Sequence, residues 1–230
     1  MDRGLFITVE GIDGCGKSTQ AVRIADALER RGHDVVRLRE PGGVAISEQI
    51  RSILLDPSHG EMGDVCELLL YEAARAQLVH EVVAPALRAG RTVVCDRFYD
   101  STTAYQAYAN GLDRALVAQA NAIAVDGWHP DITLVFDAPV QEALARRAGR
   151  SAADRLELKG TAYQERVAAG FRALAEQEPR RIALIDASGS IDEVFAAAWS
   201  VVEAVIAGSA GGVFEQAEGV GIVENEGRRG

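Results

Sequence analysis

The chain has 230 residues, of which 48% are apolar and 25% charged, with a formal net charge of −10 and three cysteines. That length holds a domain with a real core, and no apolar run approaches the roughly 20 residues that span a bilayer. The acidic balance argues against a nucleic-acid polymer or an anionic membrane as main partner. Cys15, Cys66 and Cys95 show no CxxC or zinc-like spacing, as expected of a reduced, cytoplasmic chain.

MDRGLFITVE enters a strand-like run at Leu5–Glu10 almost at once, so no secretory signal is expected. Further strand-like runs fall at Asp34–Glu40, Thr92–Asp96, Asp131–Ala138 and Arg181–Ala187. Helix-length segments separate them at Ser18–Arg31, Val44–Leu54, Asp64–Ala89, Ser101–Val125, Gln141–Arg147 and Thr161–Gln177, and Ile191–Ala207 closes the series. The alternation predicts an α/β fold, a five-stranded parallel sheet flanked by helices, over residues 1–207. Ligands of such sheets bind beyond the carboxyl ends of the strands, so the informative residues should follow each strand. Residues 208–230, rich in Gly and Glu and lacking periodicity, read as a disordered tail with no chemical role.

Gly11 to Ser18 fits G-x-x-x-x-G-K-[ST] between a predicted strand and a predicted helix, the context that makes the match a phosphate loop. Gly11, Ile12, Asp13, Gly14, Cys15 and Gly16 offer backbone N–H groups, and Ser18 and Thr19 open the helix whose N-terminus favours a polyphosphate. The alternative is a Gly-rich turn that only caps the helix. Of the 24 lysines and arginines only Lys17 and Lys159 are lysine, so a lysine carries more information here than an arginine. Lys17 is a flexible point charge for the β- and γ-phosphates, and Ser18 offers a hydroxyl to Mg²⁺. Cys15 reads as the filler of a small-residue position.

TVVCD ends a buried strand in Asp96, the form of a carboxylate near the metal; its alternative is a cap for the next helix. Arg97 follows directly. Glu40-Pro41-Gly42-Gly43 is a rigid turn with exposed backbone, or a plain loop. Tyr71 and Arg75 share a helix face at i, i+4, fit to stack a base and grip its phosphate, or to serve as core tyrosine and solvated arginine. Ser101 reads as an N-cap, and Thr102 and Tyr105 share a helix face. The stretch 146–158 is the most cationic in the chain. It reads as a mobile loop whose arginines meet transferring phosphate, or as a solvated helix end. Within it Arg155 is expected to pair with Asp154 or Glu157.

The ordered set FITVEGIDGCGKST, LREPGGVAISEQIR, ELLLYEAARAQ, CDRFYDSTTAYQ, PDITLVFDAPVQEALARR and DRLE resembles bacterial thymidylate kinases, over about residues 6–157 with a continuation to about 207. The resemblance implies a P-loop kinase fold with a short LID at about 146–158, and an enzyme that phosphorylates dTMP to dTDP with ATP and Mg²⁺ in dTTP synthesis. It also implies a homodimer. Glu40 and Pro41 then line the monophosphate pocket, Tyr71 stacks on thymine, and Arg75 contacts the monophosphate and base side. Thr102 contacts the base, Tyr105 lies beneath the sugar, and Ser101 and Gln106 are further pocket members. Arg97 bridges the two phosphates, and Ser18 and Asp96 hold the metal. Val44 replaces the family's usual threonine, and Tyr71 its usual phenylalanine. Gly14 follows Asp13 where some members carry a catalytic arginine, so the LID must supply that charge, from Arg150 first and then Arg147. Asp13 is expected to orient an acceptor-site arginine, Mg²⁺ or the sugar 3′-hydroxyl. The rivals are a kinase of another nucleotide acceptor and a P-loop switch that transfers no phosphate to a nucleotide.

Overall fold

In a computed structural model of the chain, residues 3–147 and 155–208 are described. Strand β1 (Phe6–Glu10) is buried throughout. It lies at the centre of a sheet with β2 (Val35–Arg39), β3 (Thr92–Asp96), β4 (Ile132–Asp137) and β5 (Ile182–Asp186), in the order β2-β3-β1-β4-β5 and wholly parallel. The three inner strands are nearly all buried, and the two edge strands alternate or are half-buried. Their near-continuous apolar runs follow from cover on both faces. Phe6, Val93 and Cys95 point into one core, and Ile7, Val9 and Val94 point into the other, as the strand pleat requires.

The chain steps to one side of β1 for β2 and β3, then to the other for β4 and β5. A crevice therefore opens beyond the strands' carboxyl ends. Register brings those ends level: Val9 pairs with Asp96, and Arg39 pairs with Asp96 from the other side. Helix α1 (Lys17–Arg30) follows β1 directly, α2 (Ala45–Leu55) follows β2, and α3 (Asp64–Leu78) precedes β3.

Two helical spans differ from the sequence reading. Asp64–Ala89 is not one regular helix. After α3 the backbone widens into a π turn at Val79–Val83 before α4 (Ala84–Arg88). Pro85, at the start of α4, has no N–H to give the preceding turn. Ser101–Val125 is two helices. The first begins at Tyr99 with α5 (Tyr99–Thr102) and continues as a π-helical segment, Thr103–Ala109. The chain then breaks at Gly111, whose φ is +84°, and α6 (Arg114–Val125) starts under an Asp113 cap that accepts from Leu116 N at 2.9 Å. Ser101 thus lies inside a helix and is not its N-cap. Helix α7 (Val140–Arg147) follows β4; α8 (Thr161–Gln177) and α9 (Ile191–Ile206) flank β5. Of the LID expected at about 146–158, residues 148–154 lie outside the described residues, as do residues 209–230 of the tail expected at 208–230.

Candidate active site

The loop between β1 and α1 turns on glycines for a steric reason. A β-carbon on Gly14, at φ +86°, would sit 1.9 Å from the Ala143 carbonyl oxygen of α7. A β-carbon on Gly11 would meet the Phe136 carbonyl oxygen at 2.6 Å. The loop is wedged between β4 and α7, which leaves the free N–H groups at the start of α1 to face the crevice. Cys15 is buried and its thiol is pushed up by burial, so it fills space, as read from the sequence.

Asp13 gathers the positive charge. Its Oδ1 accepts from Lys17 Nζ at 2.8 Å and from Arg97 Nη2 at 2.7 Å. Burial alone would raise this carboxyl, but Arg97 and Lys17 outweigh it and hold the group well below the usual carboxylate range. Arg97 has φ +72°, an uncommon conformation for a side chain of its size. Its backbone N–H donates to Val9 O at 2.9 Å, and its guanidinium reaches Ser101 Oγ at 2.9 Å and Tyr105 Oη at 3.3 Å.

Glu10 supports the turn from below. It is fully buried and accepts from Phe98 N at 2.7 Å and from Ser101 Oγ at 2.5 Å. Burial pushes its carboxyl up to about 7 against the pull of Arg97, with Asp100 adding to the rise. Nothing in the sequence reading singled out Glu10, because its partners lie far along the chain.

Arg75 of α3 is 2% exposed and is held on several sides. Its Nε donates to Glu40 Oε2 at 2.8 Å, and its Nη1 donates to Glu72 Oε1 at 2.5 Å and to Thr102 Oγ1 at 3.0 Å. Burial pushes the Glu40 carboxyl up to about 7 against the pull of Arg75. The solvated-arginine alternative is therefore wrong. The guanidinium is a fixed wall whose orientation is set before any ligand arrives.

One cavity collects most of the expected residues: Asp13, Lys17, Ser18, Glu40, Pro41, Tyr71, Arg75, Asp96, Arg97, Ser101, Thr102, Tyr105 and Gln106. Arg39, Arg51, Leu55, Phe98 and Leu156 also line it and were not anticipated. Arg51 donates to Pro41 O at 2.8 Å and Arg39 to the same oxygen at 3.1 Å, so two arginines fix the Glu40–Pro41 turn. Arg51 was masked in the sequence by the arginine bias. Arg147 ends α7, and Arg150 lies outside the described residues. Arg155 turns inward to an ion pair with Glu67 and donates to Leu54 O at 3.0 Å, a long-range pairing that local spacing did not suggest; Asp154 lies outside the described residues.

The residues fit a metal site of one kind. Asp96 Oδ1 is buried without a hydrogen-bond partner among the described residues, and Ser18 lines the same cavity. Among the described residues no cluster of three His, Cys, Asp or Glu side chains stands ready for a metal. A cation here would take its remaining oxygens from a nucleotide and water, as Mg²⁺ does.

A family model described as Thymidylate kinase matches residues 9–198. A thymidylate kinase of Syntrophotalea carbinolica is 48% identical over 200 residues, covering 84% of this chain and 93% of that protein. One of Desulfosudis oleivorans is 49% identical over 197 residues, covering 83% and 92%. Among solved structures, the thymidylate kinase of Ehrlichia chaffeensis superposes with a TM-score of 0.71 at 32% identity, over 87% of this chain and 99% of that one.

Proposed function

The chain belongs to the thymidylate kinase family, and from that premise we infer how its site carries the γ-phosphoryl group of ATP onto dTMP to give dTDP. The observation that supports the assignment of roles is the shared carboxylate: Asp13 Oδ1 holds Lys17 from the phosphate loop and Arg97 from the end of β3 in one cavity. Transfer between two anionic phosphates needs positioning and neutralisation more than a base, and two aimed cations supply both.

In this reading the loop of residues 11–19 binds ATP, with N–H groups and Lys17 on its phosphates. Tyr71 stacks on thymine, Arg75 and Thr102 face the base, and Tyr105 lies under the sugar. Glu40 and Pro41 bound the monophosphate end, with Ser101 and Gln106 beside it. Arg97, oriented by Asp13, spans acceptor and donor phosphates. Ser18 and Asp96 would hold Mg²⁺, which would supply further charge neutralisation on the phosphates. Gly14 has no room for a side chain, so we assign the arginine that meets the transferring group to Arg150, then Arg147.

We also propose a cytoplasmic homodimer. Among the described residues no helix is long and apolar enough to cross a membrane. Val65 and Leu69 on α3 and Leu116 and Ile123 on α6 are exposed apolar side chains on two adjacent helices. Sedimentation at micromolar concentration should give twice the chain mass.

An acceptor panel with coupled ADP release tests the reading: dTMP should far outrun dCMP and AMP. Equal rates on all three would favour a kinase of broader acceptor choice, and ATP turnover without a phosphorylated nucleotide would favour a switch. Lys17→Ala should abolish dTDP formation.

A further inference from the structure

Glu67 of α3 is fully buried and does not itself line the cavity. Its Oε1 accepts from Gln106 Nε2 at 2.8 Å and from Asn110 Nδ2 at 2.9 Å. Its Oε2 forms an ion pair with Arg155, and Lys159 Nζ lies 3.7 Å away. Arg155 in turn donates to Leu54 O at the end of α2, and Lys159 donates to Asn110 Oδ1 at 3.0 Å. Directly, or through Arg155, one carboxylate thus draws together α3, the end of α2, the Thr103–Ala109 segment with Asn110, and residues 155–159. Burial alone would raise its pKa, but Gln106, Lys159 and Arg155 hold it below the usual range, so the group stays charged.

The Gln106 and Arg155 arms end beside the cavity. Gln106 lines it directly, Leu156 follows Arg155, Leu55 follows Leu54, and Tyr71 lies one helical turn beyond Glu67 itself. A buried anion facing two cations is costly to leave unbalanced, so the walls it ties together are held in fixed relation. We propose that Glu67 is a positioning residue for the acceptor nucleotide: from behind the cavity it sets Gln106 and the Leu156 wall without touching the substrate. The proposal rests on the assignment of this end of the cavity to dTMP.

The test is steady-state kinetics of Glu67→Gln with each substrate varied in turn. The substitution keeps the shape of the side chain and removes the charge that balances Arg155. KM for dTMP should rise about tenfold, the scale of a sub-ångström misplacement, while KM for ATP stays within twofold. Arg155→Gln should give the same split, and the double variant should be no worse than either single one, since both cut one connection. A Glu67→Gln protein that folds with both KM values unchanged, or with both raised alike, overturns the proposal. If Glu67→Gln does not fold, Arg155→Gln decides by the same criterion, and failure of both to fold assigns the pair a structural role only. A wild-type protein that forms no dTDP would instead defeat the assignment of the cavity.

Discussion

Gly14 offers the sharpest test of how the loop is built. Its backbone is left-handed, and the atom nearest a new β-carbon is a carbonyl oxygen of α7 at 1.9 Å, with the carbonyl carbon at 2.7 Å. A backbone oxygen cannot swing aside as a side chain can. The left-handed conformation costs a non-glycine residue about 1–2 kcal/mol. Forcing extra atoms into packed surroundings costs about 1–3 kcal/mol more. Gly14→Ala should therefore lose about 2–5 kcal/mol in urea unfolding, and about 4–20 °C in calorimetric Tm for a chain of this size. Gly14→Arg should suffer at least as much and gain no activity, because the side chain meets α7 and not the phosphates. A Gly14→Ala protein within about 0.5 kcal/mol of wild type would refute the steric argument. A folded, faster Gly14→Arg would also refute the inference that the second charge comes from beyond α7.

Asp13→Asn leaves Lys17 and Arg97 without their shared anion, and kcat/KM should fall about a hundredfold, or about 2.7 kcal/mol; a loss under threefold would show that the substrates orient both cations unaided. Arg75→Lys keeps the charge but cannot reach Glu40, Glu72 and Thr102 together, so stability should drop by about 1–3 kcal/mol and KM for dTMP should rise; an unchanged urea midpoint would contradict the buried network. Glu10 and Glu40 each titrate near 7 in the fold, above the ordinary 4.5. Folding then favours their protonated forms, so their contribution is fully present below about pH 4.5 and is lost as pH rises through 7. Carbon-detected NMR should find two glutamate carboxyls titrating near neutrality; all glutamates titrating below 5 would refute the burial argument.

The strands, the phosphate loop and the Asp96–Arg97 corner were legible because each is local. An apolar run, a glycine spacing and a strand-end carboxylate are each set by a short stretch of neighbouring residues. The π turns were not, since they come from Pro85 and from packing of Thr103–Ala109, neither of which alters the apolar period. The break before α6 was readable from Gly111 and Asp113 but was overrun by the apolar pattern on both sides. Tyr71 and Arg75 were singled out as a pair; of the two carboxylates that fix Arg75, Glu72 is a neighbour on the same helix that was passed over, and Glu40 arrives only when α3 folds against the turn after β2. Glu10 and Glu67 escaped for the same reason: a buried acid looks ordinary in a sequence until its distant partners arrive. Arg51 was hidden differently, by a composition in which arginine is common.

The scarcity of lysine has a practical consequence. Lys17 is clasped by Asp13 with its side chain 8% exposed, and Lys159 reaches Asn110 and lies over the Tyr163 ring with 27% exposed. An acylating probe that seeks side-chain amines thus meets two targets, one in the cavity and one behind it, unequal in access. Lys159 should acquire the tag first and Lys17 slowly, with bound ATP slowing the second event further. Peptide mass spectrometry of a partly tagged sample would then read nucleotide occupancy from native residues, with no engineered label.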